Sequence, residues 1–183
     1  LSIDEIPLFI NAGTYKYQGD RRAYFRSTRG HNTVMVGDRE QSECWGEHRV
    51  ARRISHIEAK RDGQLITGYY ESYWGDRHTR MLSLADSTLS VLDMMGTTAG
   101  ATIQSYLRIS PDFAVSEEGG HINIKRDDET VCEIYPIKST YIIHIDGGLS
   151  QYAPSFGVLL QVPCLEFTWQ ADSKQHGYIV KFN

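Results

Sequence analysis

The chain has 183 residues, enough for one well-buried core over 1–183, and its 40% hydrophobic, 11% aromatic and 23% charged residues are the make-up of an ordinary soluble globular domain. A net charge of −4 gives no overall attraction to nucleic acid, whose binding rests on clustered Lys and Arg, and no window approaches the ~18 apolar residues of a membrane span. Cys44, Cys132 and Cys164 are odd in number and far apart, so they indicate neither a disulfide framework nor a thiolate zinc site and read as core thiols.

In chain order, Leu1-Ser2-Ile3 opens with apolar alternation and no initiator methionine, as a strand entered midway in a fragment of a longer protein. Arg52 and Arg53 follow as neighbours in a strand, pointing to opposite faces. Asp62-Gly63 is the strongest turn signal, because Asp-Gly tolerates the positive φ angles of a primed turn; it predicts that His56–Lys60 pairs antiparallel with Gln64–Tyr70. Thr79–Leu84 and Thr88–Leu92 flank the turn Ala85-Asp86-Ser87. Gly119-Gly120 and Arg126-Asp127-Asp128-Glu129 bracket the strand His121–Lys125. Further strands are expected at Val131–Ile137, Tyr141–Ile145, Cys164–Trp169 and Tyr178–Phe182. About a dozen strands with few or no helices predict an all-β chain of two stacked antiparallel sheets, a β-sandwich.

One ordered set of blocks stands out: Asn11-Ala-Gly-Thr-Tyr15, Arg22-Ala-Tyr-Phe-Arg-Ser-Thr28, His31-Asn-Thr-Val34, Gln41-Ser-Glu-Cys-Trp-Gly-Glu47 and Arg49-Val-Ala-Arg-Arg53. His78-Thr-Arg80, Val91-Leu-Asp93, Tyr106-Leu-Arg-Ile-Ser-Pro111 and Tyr152-Ala-Pro-Ser-Phe-Gly157 continue the series. Together they resemble the C-terminal β-sheet domain of heparinase II/III-type polysaccharide lyases. The resemblance implies a supersandwich-like fold and a parent whose N-terminal helical domain, absent from this chain, packs beside it. It also implies cleavage of uronic-acid polysaccharides, glycosaminoglycans or alginate-like chains, by β-elimination, in a secreted or periplasmic setting.

The same resemblance places the catalytic tyrosine and asparagine in the helical domain and a catalytic histidine in a His-x-His motif just upstream. No catalytic residue is therefore expected within this chain, and the isolated fragment is expected to be inactive. The family's zinc site would use the second histidine of that motif, an Asp that is Asn11 here, and His31. Asn11 puts a neutral carbonyl oxygen where an anionic ligand is wanted, so zinc is implied for the parent and not for this fragment. The bland reading has Asn11 and His31 as neighbours in a hydrogen-bonded turn.

Acidic polysaccharide as a partner points to Arg26 and Asn32, with Tyr15 and Trp45 as flat faces for sugar rings. Arg26 belongs to a basic cluster with Arg21, Arg22 and Arg29, and guanidinium forks suit carboxylate and sulfate. The bland reading of that cluster is surface ion pairing with Asp20, Asp38 and Glu40. Most of Tyr15, Tyr17, Tyr24 and Trp45 read as core, and so do Tyr69, Tyr70, Tyr73 and Trp74, with more room for exposure beside Gly75-Asp76. A second class of function stays open: a non-catalytic carbohydrate-binding or structural sandwich, as in surface-polysaccharide assembly. No Gly-x-Ser-x-Gly elbow or Gly-rich phosphate loop supports a hydrolase or nucleotide-binding reading.

Overall fold

Alternating apolar residues and frequent turn residues condense into thirteen strands in two sheets, β1 to β13 below. The computed structural model describes residues 1–183 and is 56% strand and 6% helix. The eight-stranded sheet holds β3 (Ser55–Asp62), β4 (Leu65–Glu71), β5 (Arg77–Ala85), β6 (Thr88–Gly96), β8 (Ala114–Glu118), β9 (His121–Arg126), β10 (Glu129–Ile137) and β13 (His176–Phe182). The five-stranded sheet holds β1 (Phe9–Ile10), β2 (Val34–Val36), β7 (Thr102–Ile109), β11 (Thr140–His144) and β12 (Cys164–Gln170). All the strand pairs within the two sheets are antiparallel.

The larger sheet runs β8-β9-β10-β13-β6-β5-β4-β3. Two meanders of consecutive strands are thus joined by the last strand of the chain, which slots between β10 and β6. Between the sheets lie Val91, Ile103, Leu107, Ile122, Ile134, Leu165, Phe167, Tyr178 and Val180, with Phe167 stacked on Tyr178 at a centroid distance of 4.8 Å. Burying each such side chain is worth about 1.5–3 kcal/mol, and this layer is the main stabilising feature of the fold.

The turns obey their chemistry. Asp62 pairs with Leu65, so the tight hairpin is present, with Gly63 (φ +59°) and Gln64 as its two central residues. Asp86-Ser87 and Asp127-Asp128 close two-residue hairpins with every central φ positive, the primed-turn geometry, without glycine. Three expectations need correction. Ser2–Ile3 is no continuation of a main-sheet strand but half of a small hairpin with Ile6–Pro7, turned at Asp4-Glu5. Arg52 lies beyond the short strand Arg49–Ala51 in a left-handed conformation (φ +45°), so it does not alternate with Arg53 along a strand. Cys132 and Cys164 are core thiols, but Cys44 is exposed, on a hairpin of Glu43–Trp45 with Arg49–Ala51.

The five-stranded sheet is covered on both faces. Ile103, Ser105, Leu107 and Ile109 of β7 face the sandwich interior, and Tyr106 and Arg108, on the opposite face, are equally buried. The cover on that second face is the segment from Asn11 to Gly30, including the short helix α1 (Arg22–Arg26), together with the turn at Gly148–Ser150. This third layer positions the candidate site.

Candidate functional site

The segment His31 to Thr33 runs along the edge of β7, between the places where β1 and β2 pair with it. Thr33 supplies a backbone carbonyl to the Tyr106 N–H at 3.1 Å, and the Asn32 side chain takes the place of the next one, its Oδ1 accepting the Arg108 N–H at 3.0 Å. Asn32 Nδ2 donates to Ile10 O (2.9 Å), its backbone N–H donates to Asn11 Oδ1 (3.1 Å), and its carbonyl accepts from Arg80 Nη1 (2.7 Å). Every polar group of Asn32 is engaged by the protein, so this residue ties the loop to both sheets.

Arg80 reaches that loop because Asp93 holds it. Asp93, fully buried on β6, accepts from Arg80 Nε (2.7 Å) and Nη2 (2.9 Å) and meets His78 Nε2 at 2.7 Å. Burial alone would raise the Asp93 pKa; the Arg80 guanidinium and His78 overcome it and hold the carboxyl well below the usual carboxylate range. The same partnership keeps Arg80 charged despite its burial.

On the outer face of β7, Arg108 is wholly buried without a carboxylate. Its Nη2 donates to the Tyr24 hydroxyl (2.7 Å), to Arg29 O and to Leu149 O (3.5 Å), while Nε and Nη1 have no partner. A buried, incompletely satisfied guanidinium makes the underside of α1 electropositive. Desolvation of the ring by the surrounding loop first, and then the Arg108 charge, push the His31 imidazole below its ordinary pKa against a weaker upward pull from Glu40, although the residue keeps a solvent-exposed side.

His31 is exposed, and Asn11 Oδ1 accepts the backbone N–H of Asn32, the residue that follows His31. No group of three His, Cys, Asp or Glu side chains converges there or elsewhere. His31 is one strong ligand, and Asn11 Oδ1 is neutral and already accepts an N–H, so the residues of this chain do not by themselves fit a zinc ion.

Of the basic cluster, only Arg29 makes an ion pair, with Asp38 at 2.7 Å. Arg21, Arg22, Arg26 and Lys16 have no carboxylate within 4 Å. Arg26 forks onto the carbonyls of Gly46 (3.0 Å) and Arg49 (2.7 Å), and Arg22 Nε onto that of Glu47 (3.2 Å), which fastens the Trp45 hairpin to α1. Trp45 on that hairpin is 44% exposed. Tyr15 is half-buried against Phe25 at 6.2 Å, with Lys16 and Arg21 over its ring at 5.1 and 5.8 Å. Beside them Tyr17 (59% exposed) stacks obliquely on Phe156 (62%) at 5.2 Å, with Arg22 5.7 Å from the Tyr17 ring. The predicted residues Tyr15, Arg26 and Trp45 therefore share one neighbourhood around α1, and Asn11, His31 and Asn32 lie at its base. Sequence reasoning missed Arg80, Asp93, Arg108 and Phe156 as parts of the site, although all four fall in the blocks that carry the resemblance.

No curated protein matches the chain. Among solved structures it is similar to a heparan sulfate lyase, HepC, from Pedobacter heparinus, with 15% identity and a TM-score of 0.68 over 94% of this chain and 28% of that one. Two heparinase III structures match at 17% and 14% identity, with TM-scores of 0.66 and 0.63, each over 94% of this chain and 27% of theirs. The chain thus spans little more than a quarter of these relatives, and at such identities they establish the fold alone. The family model described as heparinase II/III-like, C-terminal, matches residues 1–161, and the chain belongs to that family.

Proposed function

We propose that this chain is the C-terminal sandwich of a lyase that cleaves uronic-acid-containing polysaccharides by β-elimination, and that its own part is to bind and orient the acidic chain. One observation carries the reading: Lys16 and Arg21 stand over the Tyr15 ring and Arg22 beside the exposed pair Tyr17 and Phe156, none of the three with a carboxylate partner. Such an array suits a polymer that presents a carboxylate on each sugar and a flat face between them.

In the elimination a base takes the C5 proton, the electron pair forms the C4–C5 double bond, and O4 departs with a proton from an acid. The uronate carboxylate must be neutralised for C5 to lose its proton. The guanidinium groups of this chain bind carboxylates along the polymer, and the neutralisation at the reacting sugar is made outside this chain. On this reading the acid and base come from the N-terminal helical domain and from the His-x-His segment just upstream, and any zinc held in the parent takes His31 with ligands from upstream. A secreted or periplasmic location accords with a substrate outside the cytoplasm, and no helix of the chain is long and apolar enough to cross a membrane.

The second reading, a non-catalytic carbohydrate-binding sandwich, draws on the same cationic and aromatic face and asks no elimination chemistry of the parent. Ultraviolet absorbance of unsaturated uronide products separates the two. The full-length protein, offered heparan sulfate, alginate and related acidic glycans, should yield an absorbing product from at least one; binding without any product would leave the binding module.

A further inference from the structure

Away from α1, the loop from Ser72 to Asp76 carries two large aromatic side chains outward. Tyr73 is 53% and Trp74 is 50% exposed, and their rings meet edge to face at 5.6 Å. Exposed aromatics on a floppy loop would collapse onto the nearest apolar surface, but this loop is braced. Ser72 N–H donates to Asp76 O (2.8 Å), Gly75 N–H to Ser72 O (3.0 Å) and Asp76 N–H to Ser72 Oγ (3.2 Å). The buried Asp76 carboxylate then accepts from Arg39 Nη2 (3.0 Å) and from the Thr97 hydroxyl, which fixes the loop to the body of the sheet. Trp74 Nε1 donates to Glu40 O at 3.2 Å, setting the indole plane, and the Arg52 guanidinium covers Tyr73 at 4.5 Å.

The two rings wall a concavity of about 370 Å³ with Asp38, Arg39, Glu40, Glu43, Cys44 and Arg52. That volume is within the range of small-ligand sites. The charges around it are already engaged: Asp38 by Arg29 (2.7 Å), Glu43 by Arg52 (3.5 Å), Arg39 by Asp76, and Glu40 by the Thr28 N–H (2.5 Å). No free cation awaits a uronate here. The remaining chemistry is the half-exposed Trp74 ring, with Tyr73 held edge to face against it under Arg52, rimmed by hydrogen-bond acceptors, a combination that recognises the C–H face and the hydroxyl edge of a sugar ring.

We propose that Tyr73 and Trp74 form a second glycan subsite that grips a pyranose ring of the polysaccharide irrespective of its charge. The inference rests on the polysaccharide reading for the class of ligand and is independent of whether elimination occurs. Its test is calorimetric titration of the full-length protein with a short alginate oligosaccharide and with the same oligosaccharide after carboxyl reduction, in low and high salt. The wild type should bind the neutral sugar with little salt dependence. Trp74→Ala and Tyr73→Ala should each weaken that binding by about tenfold or more, since an aromatic anchor is expected to dominate such a contact. Trp74→Phe should retain part of it, and unchanged melting temperatures should exclude misfolding. Wild-type protein that fails to bind the neutral sugar, or aromatic variants that bind it as well as wild type, would overturn the subsite. Neither result touches the elimination reading, which stands or falls on the unsaturated product.

Discussion

At the scale of single residues, the buried charges are the part of the account most open to measurement. Asp93 is fully buried with Arg80 and His78 as its partners, so removing its charge leaves a guanidinium inside the sandwich without compensation. Asp93→Asn should lower stability at neutral pH by about 3 kcal/mol, read from denaturant unfolding. Because the folded carboxyl titrates below its ordinary range, its contribution is complete above the unfolded value near ~4 and is lost as pH falls toward the folded value. The stability gap between wild type and Asp93→Asn should accordingly narrow in acid below about pH 4, and a gap that stays constant there would show that the pair is not the source. At the Asn11–His31 turn, the chain alone should bind zinc weakly in calorimetric titration. Asn11→Asp together with an upstream His-x-His segment should raise the affinity by orders of magnitude. Stoichiometric binding by the unaltered chain that survives His31→Ala would place the metal elsewhere. The sequence made Asn11 and His31 legible through their neighbours, whereas Arg108 was hidden. An arginine in a strand ordinarily reads as exposed, and only the third layer over β7 buries it.

At the scale of elements, turn chemistry was the legible part and strand order was not. Gly63, just after Asp62, and Gly119-Gly120 announce their hairpins because few residues accept positive φ. Strand Thr102–Ile109 lacks clean alternation since both of its faces are buried, and the pairing of β13 between β10 and β6 depends on contacts far apart in the chain. The hairpin around Trp45 was equally opaque: three-residue strands with mostly exposed side chains leave no periodic signal. Gly13 in the first family block has a reason that sequence could not supply. Its backbone bridges Ala153 so closely that an added Cβ would lie 2.2 Å from the Ala153 carbonyl oxygen, at φ +79°. The turn Asp127-Asp128 gives a quantitative check. Both residues sit at positive φ, where Asn and Gly are better tolerated, so replacing the pair by Asn-Gly should raise stability by about 1 kcal/mol. A loss of stability in thermal unfolding would mean that the two aspartates serve the loop in a way the turn geometry does not reveal.

At the scale of the whole molecule, the all-β expectation and the two antiparallel sheets hold, because apolar β-formers recur throughout and helix-length periodic windows do not. What composition could not convey is the segregation of charge. An overall negative chain gathers four cations without carboxylate partners around one short helix, with Tyr17, Phe156 and Trp45 beside them. The central claim is that this face holds the acidic polymer while the proton transfers are made elsewhere, and it is tested most directly by steady-state kinetics of the full-length protein on its best acidic glycan, followed by the absorbance of unsaturated uronide. With Arg21→Ala and Arg22→Ala combined, KM should rise by about tenfold or more with kcat nearly unchanged, the pattern of lost uniform binding, and the effect should shrink in high salt. An unchanged KM, or a fall in kcat at constant KM, would contradict it.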